Sequence, residues 1–169
     1  MEGNERRFAK EIRRNVSGVR EDFIEPGEWG RLLSLERRLA AWGIPLEPGK
    51  KVLEIGSATG IFLDQMREKG IDAVGIDARP RGKGGAPHAA ARIEQLPFPD
   101  RSFDFVISSS VFDDIVYDQD QAGMLQEIRR VLQPGGVFVS NADLINQPPQ
   151  DMEIISPETS VFLRVYKKV

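Results

Sequence analysis

One stretch constrains this chain more than any other. Val52-Leu53-Glu54-Ile55 is a short apolar run, Gly56-Ser57-Ala58-Thr59-Gly60 follows it at once, and helical spacing resumes from Ile61 to Lys69 before Gly70. A change of hydrophobic period across a turn of small residues reads as strand, turn and helix, the opening of an α/β unit. Gly70 just past the last periodic residue is a helix stop.

The rest of the chain repeats that alternation. Ala73-Val74-Gly75-Ile76-Asp77 predicts a second strand, Ala89 to Ile93 a weaker third, Phe103 to Ser109 a fourth and Val137 to Asn141 a fifth. A helix over 120–132 separates the last two. Strands alternating with helices at this spacing predict a mainly parallel sheet with helices on both faces. Met152 to Ile155 and Ser160 to Lys168, joined by Ser156-Pro157-Glu158-Thr159, read instead as an antiparallel hairpin at the sheet edge. Two helices precede the first strand. Phe8, Ile12, Val16, Val19 and Phe23 form an apolar stripe among basic residues, and Trp29 to Trp42 forms a second stripe that ends at Gly43 and Pro45. The stripe over 8–23 reads first as a helix packed on the domain, with a membrane-surface or lid role as the alternative. Arg79 to Pro87 holds too much glycine and proline for a crossover helix and reads as a loop.

At 169 residues the chain suits one domain, divided here into N-terminal helices (1–47), a core (48–142) and a shortened edge hairpin (143–169). A formal net charge of -3 gives no positive field for a phosphate backbone, so nucleic acid is not expected. With no cysteine, thiolate catalysis, disulfides and Cys-based zinc sites are excluded, and no metal is expected. No apolar run approaches the ~20 residues of a membrane span, and the charged N-terminus lacks a secretory h-region. The expectation is a soluble, unprocessed, cytoplasmic protein.

The glycine turn carries the chemistry. Small side chains let a ligand approach the backbone, the helix start supplies unpaired N–H groups, and an acidic residue at the strand end favours a ligand with a positive centre. A dinucleotide fingerprint would place glycine at positions 58 and 61, where Ala58 and Ile61 stand, and no Gly-Lys-Ser/Thr follows for a phosphate loop. Asp77 ends the second strand about twenty residues on, where a carboxylate can accept both ribose hydroxyls; a cap or turn aspartate is the alternative.

These residues, with Glu94-Gln95-Leu96-Pro97-Phe98-Pro99-Asp100-Arg101-Ser102-Phe103-Asp104 and Val131-Leu132-Gln133-Pro134-Gly135-Gly136, resemble the class I S-adenosylmethionine-dependent methyltransferases, in particular their type 11 group. The resemblance covers roughly Lys50 to Ala142. It implies a Rossmann-like seven-stranded sheet whose sixth and seventh strands are antiparallel, and methyl transfer from S-adenosylmethionine, with S-adenosylhomocysteine as product. It also implies the contacts: Gly56, Ser57, Ala58 and Gly60 along the methionine part, Glu54 ordering that turn and the amino group, and Asp77 on the ribose. Ala78 and Ile93 would lie against adenine, with the Ile93 N–H offered to a ring nitrogen, and the Ser108 carbonyl would stand near the methionine amino group. Arg92 occupies a position that is often acidic in the family, which leaves Glu94 for the adenine amino group.

Other positions depart from the family. Asp113-Asp114 replaces the histidine or His-Trp pair that often follows the fourth strand, and only Asp143 to Asp151 stands where substrate-covering insertions are usual. Asp113, Asp114, Tyr117, His88 and Asp143 are the candidates for a base, and none is assigned a catalytic role. A loop or cap accounts for the first two as well, and His88 reads as a solvent-exposed loop residue. The missing Asn/Asp-Pro-Pro-Tyr argues against DNA amino methylation, so the expected acceptor is a small molecule. The alternatives are a non-catalytic cofactor-binding or partner protein, and, more weakly, an aminopropyl transferase. The thin cover leaves room for a bulkier acceptor, or for a homo-oligomer or a partner subunit to complete the site.

Overall fold

The computed structural model describes residues 28–81, 85–108, 121–140, 150–156 and 163–169. The expected helix over 8–23, the base candidates Asp113, Asp114, Tyr117 and Asp143, and residues 82–84 of the glycine-rich loop lie outside them. Ten elements follow in chain order: α1 (Glu28–Ala41), β1 (Lys51–Ile55), α2 (Ile61–Glu68), β2 (Asp72–Asp77), β3 (His88–Ala90), β4 (Phe103–Ser108), α3 (Gln121–Val131), β5 (Leu132–Ser140), β6 (Met152–Ile154) and β7 (Arg164–Lys168).

The strands form one seven-stranded sheet in the order β3-β2-β1-β4-β5-β7-β6. Pairing is parallel from β3 through β5 and antiparallel where β7 meets β5 and β6. This is the Rossmann-like arrangement that the resemblance implied, and its mainly parallel pairing is what the alternation predicted. The order reverses between β1 and β4, and in open α/β sheets ligands bind outside the strand ends at such a switch point.

Period-two alternation divides the core between two faces. Val52, Ala73, Phe105, Ile107, Val139 and Val165 pack against Leu32 and Leu39 of α1 and Phe62, Leu63 and Met66 of α2. Leu53, Ile55, Ile76, Val106, Phe138 and Tyr166 pack against Met124, Leu125 and Ile128 of α3. Helices therefore cover both faces.

Two boundaries differ from the sequence reading. The third strand is His88–Ala90, not 89–93, so Ile93 falls in the turn beyond it and His88 enters the strand. Parallel pairing with Gly75 to Asp77 decides this, because β2 offers only that many partners before it ends. The fifth strand starts at Leu132, whose partner Phe103 precedes a register shift around Gln133 to Gly136. Gly135 has φ 76°, and a Cβ on Gly136 would meet the Gln133 carbonyl at 2.8 Å, so both glycines are required by the turn.

The Glu94 to Asp104 segment has a structural task. Arg130 of α3 donates to the carbonyls of Leu96 (3.0 Å) and Phe98 (2.7 Å) and to the carboxylates of Asp100 (2.9 Å) and Glu127 (2.7 and 2.8 Å). Glu127 in turn accepts the Leu96 N–H at 2.8 Å. Asp104 accepts the Lys51 N–H at 2.8 Å and the Gln133 side-chain amide, which joins β1, β4 and the turn into β5.

These ion pairs carry a pH dependence. The Arg130 guanidinium bonded to Glu127 holds that carboxyl below its usual range, and Arg129 does the same for Asp151. A carboxylate whose pKa is lower folded than unfolded contributes its stability above the unfolded pKa, about 4, and loses it as pH falls through the folded value. The melting temperature is therefore expected to be flat from about pH 7 to 5 and to fall below that. Thermal melts of Glu127→Gln should show a lower plateau and a shallower acid slope; an unchanged slope would contradict the assignment.

Candidate active site

The carboxyl ends of β1, β2 and β4 meet at the glycine turn. The N–H groups of Gly56 and Ser57 both donate to the Ile76 carbonyl, at 2.8 and 3.0 Å, which ties the turn to β2. Gly60 donates to the Ser57 carbonyl at 2.7 Å and starts α2 from a left-handed conformation, φ 78°. Gly56 is also left-handed at φ 82°, and so is Ala58 at φ 43°. A non-glycine residue held there costs of order 1 kcal/mol, and such strain concentrates at ligand sites.

Asp77 reaches this turn. Its Oδ2 accepts the Ala58 N–H at 2.9 Å and its Oδ1 accepts the Arg79 N–H at 2.6 Å. Each carboxylate oxygen retains a lone pair for a further donor. The glycine-rich loop continues the contact: Arg81 N–H donates to the Ala58 carbonyl at 2.8 Å, and Asp64 of α2 accepts from Gly85 (3.0 Å) and Ala86 (2.7 Å). The loop is thus fastened to the turn at its start and to α2 at its end.

Gly75 is a site residue that the sequence reading did not single out. A Cβ there would stand 2.5 Å from the Ser57 Cβ and 2.6 Å from Leu63 Cδ1. The turn can settle on β2 only over a position with no side chain. A glycine inside a strand often marks such a close backbone approach, so the signal was present.

The other expected contact residues are distributed along the same rim. Glu54 is buried at 2% exposure and stands in register with Gly75 and Ile107. Ser57 and Ser108 are also buried, and their hydroxyls have no hydrogen-bond partner among the described residues. Ser108 ends β4 directly opposite Ile55. Ala78 is exposed just beyond Asp77, and Glu94 is exposed in the turn after β3. The Ile93 side chain packs into the α3-face core, which leaves main chain as its route to a ligand. His88 is corrected: it is half-buried on β3, in register with Gly75, and its Nδ1 is buried without a partner among the described residues.

A cradle of bare main chain, a carboxylate beside it and two unpartnered buried hydroxyls fit a nucleoside that carries ribose hydroxyls and a positive centre. A family model described as a methyltransferase domain matches residues 53–140. This chain belongs to that family. Its fold and motifs are those of the class I S-adenosylmethionine-dependent methyltransferases. It is 34% identical over 99 residues to malonyl-[acyl-carrier protein] O-methyltransferase of Serratia marcescens, covering 54% of this chain and 38% of that protein. It is 29% identical over 126 residues to demethylmenaquinone methyltransferase of Tropheryma whipplei, covering 69% and 48%. Phosphoethanolamine N-methyltransferase 2 of Haemonchus contortus, solved with S-adenosyl-L-methionine, superposes with a TM-score of 0.55 at 25% identity, covering 72% of this chain and 30% of that one. The chain spans less than half the length of these curated relatives. No helix of the described residues is long and apolar enough to cross a membrane.

Proposed function

We propose that this methyltransferase domain transfers a methyl group from S-adenosylmethionine to a small-molecule acceptor. The observation that carries the reading is the Asp77 carboxylate 2.9 Å from the Ala58 N–H, because a carboxylate held against a glycine turn is suited to accept ribose hydroxyls. Gly56, Ser57, Ala58 and Gly60 would border the methionine part, with Glu54 ordering the turn. Asp77 would take the ribose hydroxyls, Ala78, Ile93 and Glu94 the adenine, and the Ser108 carbonyl the amino group.

When bound, S-adenosylmethionine supplies a methyl group on a sulfonium whose leaving thioether is neutral. The protein's work is then to orient and to exclude water, and orientation alone supplies up to about 7–11 kcal/mol. The relatives are named for a malonyl-carrier-protein O-methylation and a demethylmenaquinone methylation, so the acceptor varies within this family.

Calorimetric titration with S-adenosylmethionine tests the reading. Wild-type protein is expected to bind, and Asp77→Ala to bind more weakly by about a hundredfold or more, since each of the two bonds to a charged acceptor is worth about 1.5–3 kcal/mol. No binding by the wild type would end the proposal. Binding without any methylated product across acceptor panels would favour a non-catalytic cofactor-binding role.

A further inference from the structure

The carboxyl rim continues past the glycine turn into a second polar group. Ile55, Ser108, Ser140 and Arg164 stand in register on β1, β4, β5 and β7. Residues paired across neighbouring strands carry their side chains on the same face. That face is the α3 side, because each of them alternates with a member of its core: Leu53, Val106, Phe138 and Tyr166. Neighbouring strands lie about 4.8 Å apart, so the two serines and the arginine fall within reach of one small ligand.

Burial makes this row unusual. Ser108 is 2% and Ser140 0% exposed, and the Ser108 hydroxyl has no partner among the described residues. A buried hydroxyl left unpaired loses its hydration without return until a ligand supplies a partner. Ser140 and Arg164 each already have an interaction within the protein, and the half-buried Arg164, with five donors in a rigid fork, keeps capacity for a planar anion. The rim therefore has two ends of opposite sign, with Asp77 at the end of β2 and Arg164 at the start of β7. By alternation Asp77 faces the α1 and α2 side, so the two groups do not neutralise each other.

We propose that Ser108, Ser140 and Arg164 form a subsite for an anionic acceptor, a carboxylate or a phosphate monoester, next to the cofactor. The assignment rests on the methyltransferase reading above, since it deepens the same site. Ser108 would then serve both ligands, its main-chain carbonyl toward the cofactor and its hydroxyl toward the acceptor. Arg164 would hold the acceptor's anion away from the reacting end, which orients it without a charged group at the sulfonium.

The experiment titrates S-adenosylhomocysteine first and then, on the loaded protein, malonate, inorganic phosphate and uncharged malonamide, all by calorimetry. Saturable binding of malonate or phosphate but not malonamide is expected, weakened about tenfold in Arg164→Gln, with S-adenosylhomocysteine affinity unchanged. The stronger of the two anions tells carboxylate from phosphate. No saturable anion binding, malonamide binding as tightly as malonate, or undiminished anion binding in Arg164→Gln would overturn the subsite. If Arg164→Gln does not fold, the malonate and malonamide titrations of the wild type decide alone. Failure of S-adenosylhomocysteine to bind at all would instead remove the cofactor reading on which the subsite rests.

Discussion

Gly75→Ala is expected to lower S-adenosylmethionine affinity by about a hundredfold or more while leaving most of the fold intact. The new methyl would stand 2.5 Å from the Ser57 Cβ, a distance that no rotamer change can relieve, because that Cβ is fixed by main chain. Leu63 Cδ1, at 2.6 Å, can swing away; Ser57 cannot without moving the turn. The turn has little freedom to yield, since Gly56 and Ser57 are both bonded to the Ile76 carbonyl and Ala58 is already left-handed. Overpacking of this kind costs about 1–3 kcal/mol of stability, but the strain is concentrated where the ligand meets the backbone. Gly135→Ala is the matched control. Its φ of 76° makes a side chain strained, nothing lies within 4 Å, and it is remote from the turn. It should reduce stability by a comparable amount and leave affinity unchanged. Equal affinity of Gly75→Ala and wild type would show that the turn does not contact the cofactor.

Arg130→Met is expected to lower the melting temperature by about 10 °C, from a loss of roughly 3–4 kcal/mol. One guanidinium satisfies the carbonyls of Leu96 and Phe98 and pairs with Glu127 and Asp100. Methionine keeps much of the aliphatic packing, so the loss reports the polar bonds. Glu127 would also keep its Leu96 N–H bond while losing its cation, which brings its carboxyl back toward the ordinary range. A double cycle with Glu127→Gln should show strong coupling, since the pair shares two hydrogen bonds. Additive losses would mean that the two residues act separately. Because the clamp also sets the course of the chain after Ile93, a weaker secondary effect on cofactor affinity is expected.

Much of the geometry of the candidate site was legible because its determinants are local. A turn of small residues after an apolar strand, and an aspartate one strand later, can be read from spacing, and the structure brings Asp77 onto that turn. Gly75 was legible in principle and passed over, since it looks like any glycine within an apolar run until Ser57 is set above it. His88 was misplaced for the converse reason. Its neighbours Pro87 and Gly85 read as loop, while pairing to β2 draws the chain into a strand. The Glu94 to Asp104 motif had a recognisable pattern with no visible task, because its partners Glu127 and Arg130 lie about thirty residues away on α3.

The division follows from the range of the forces involved. Hydrophobic period, turn chemistry and helix stops act over a few residues, so the sequence by itself determined the order of strands and helices, the glycine turn and the antiparallel close. Which strands become neighbours depends on burying two apolar faces at once, and that is a property of the whole sheet. Only the tertiary structure could set Ser57 over Gly75, lay Ser108, Ser140 and Arg164 in one row, and leave the buried Ser108 hydroxyl without a partner among the described residues.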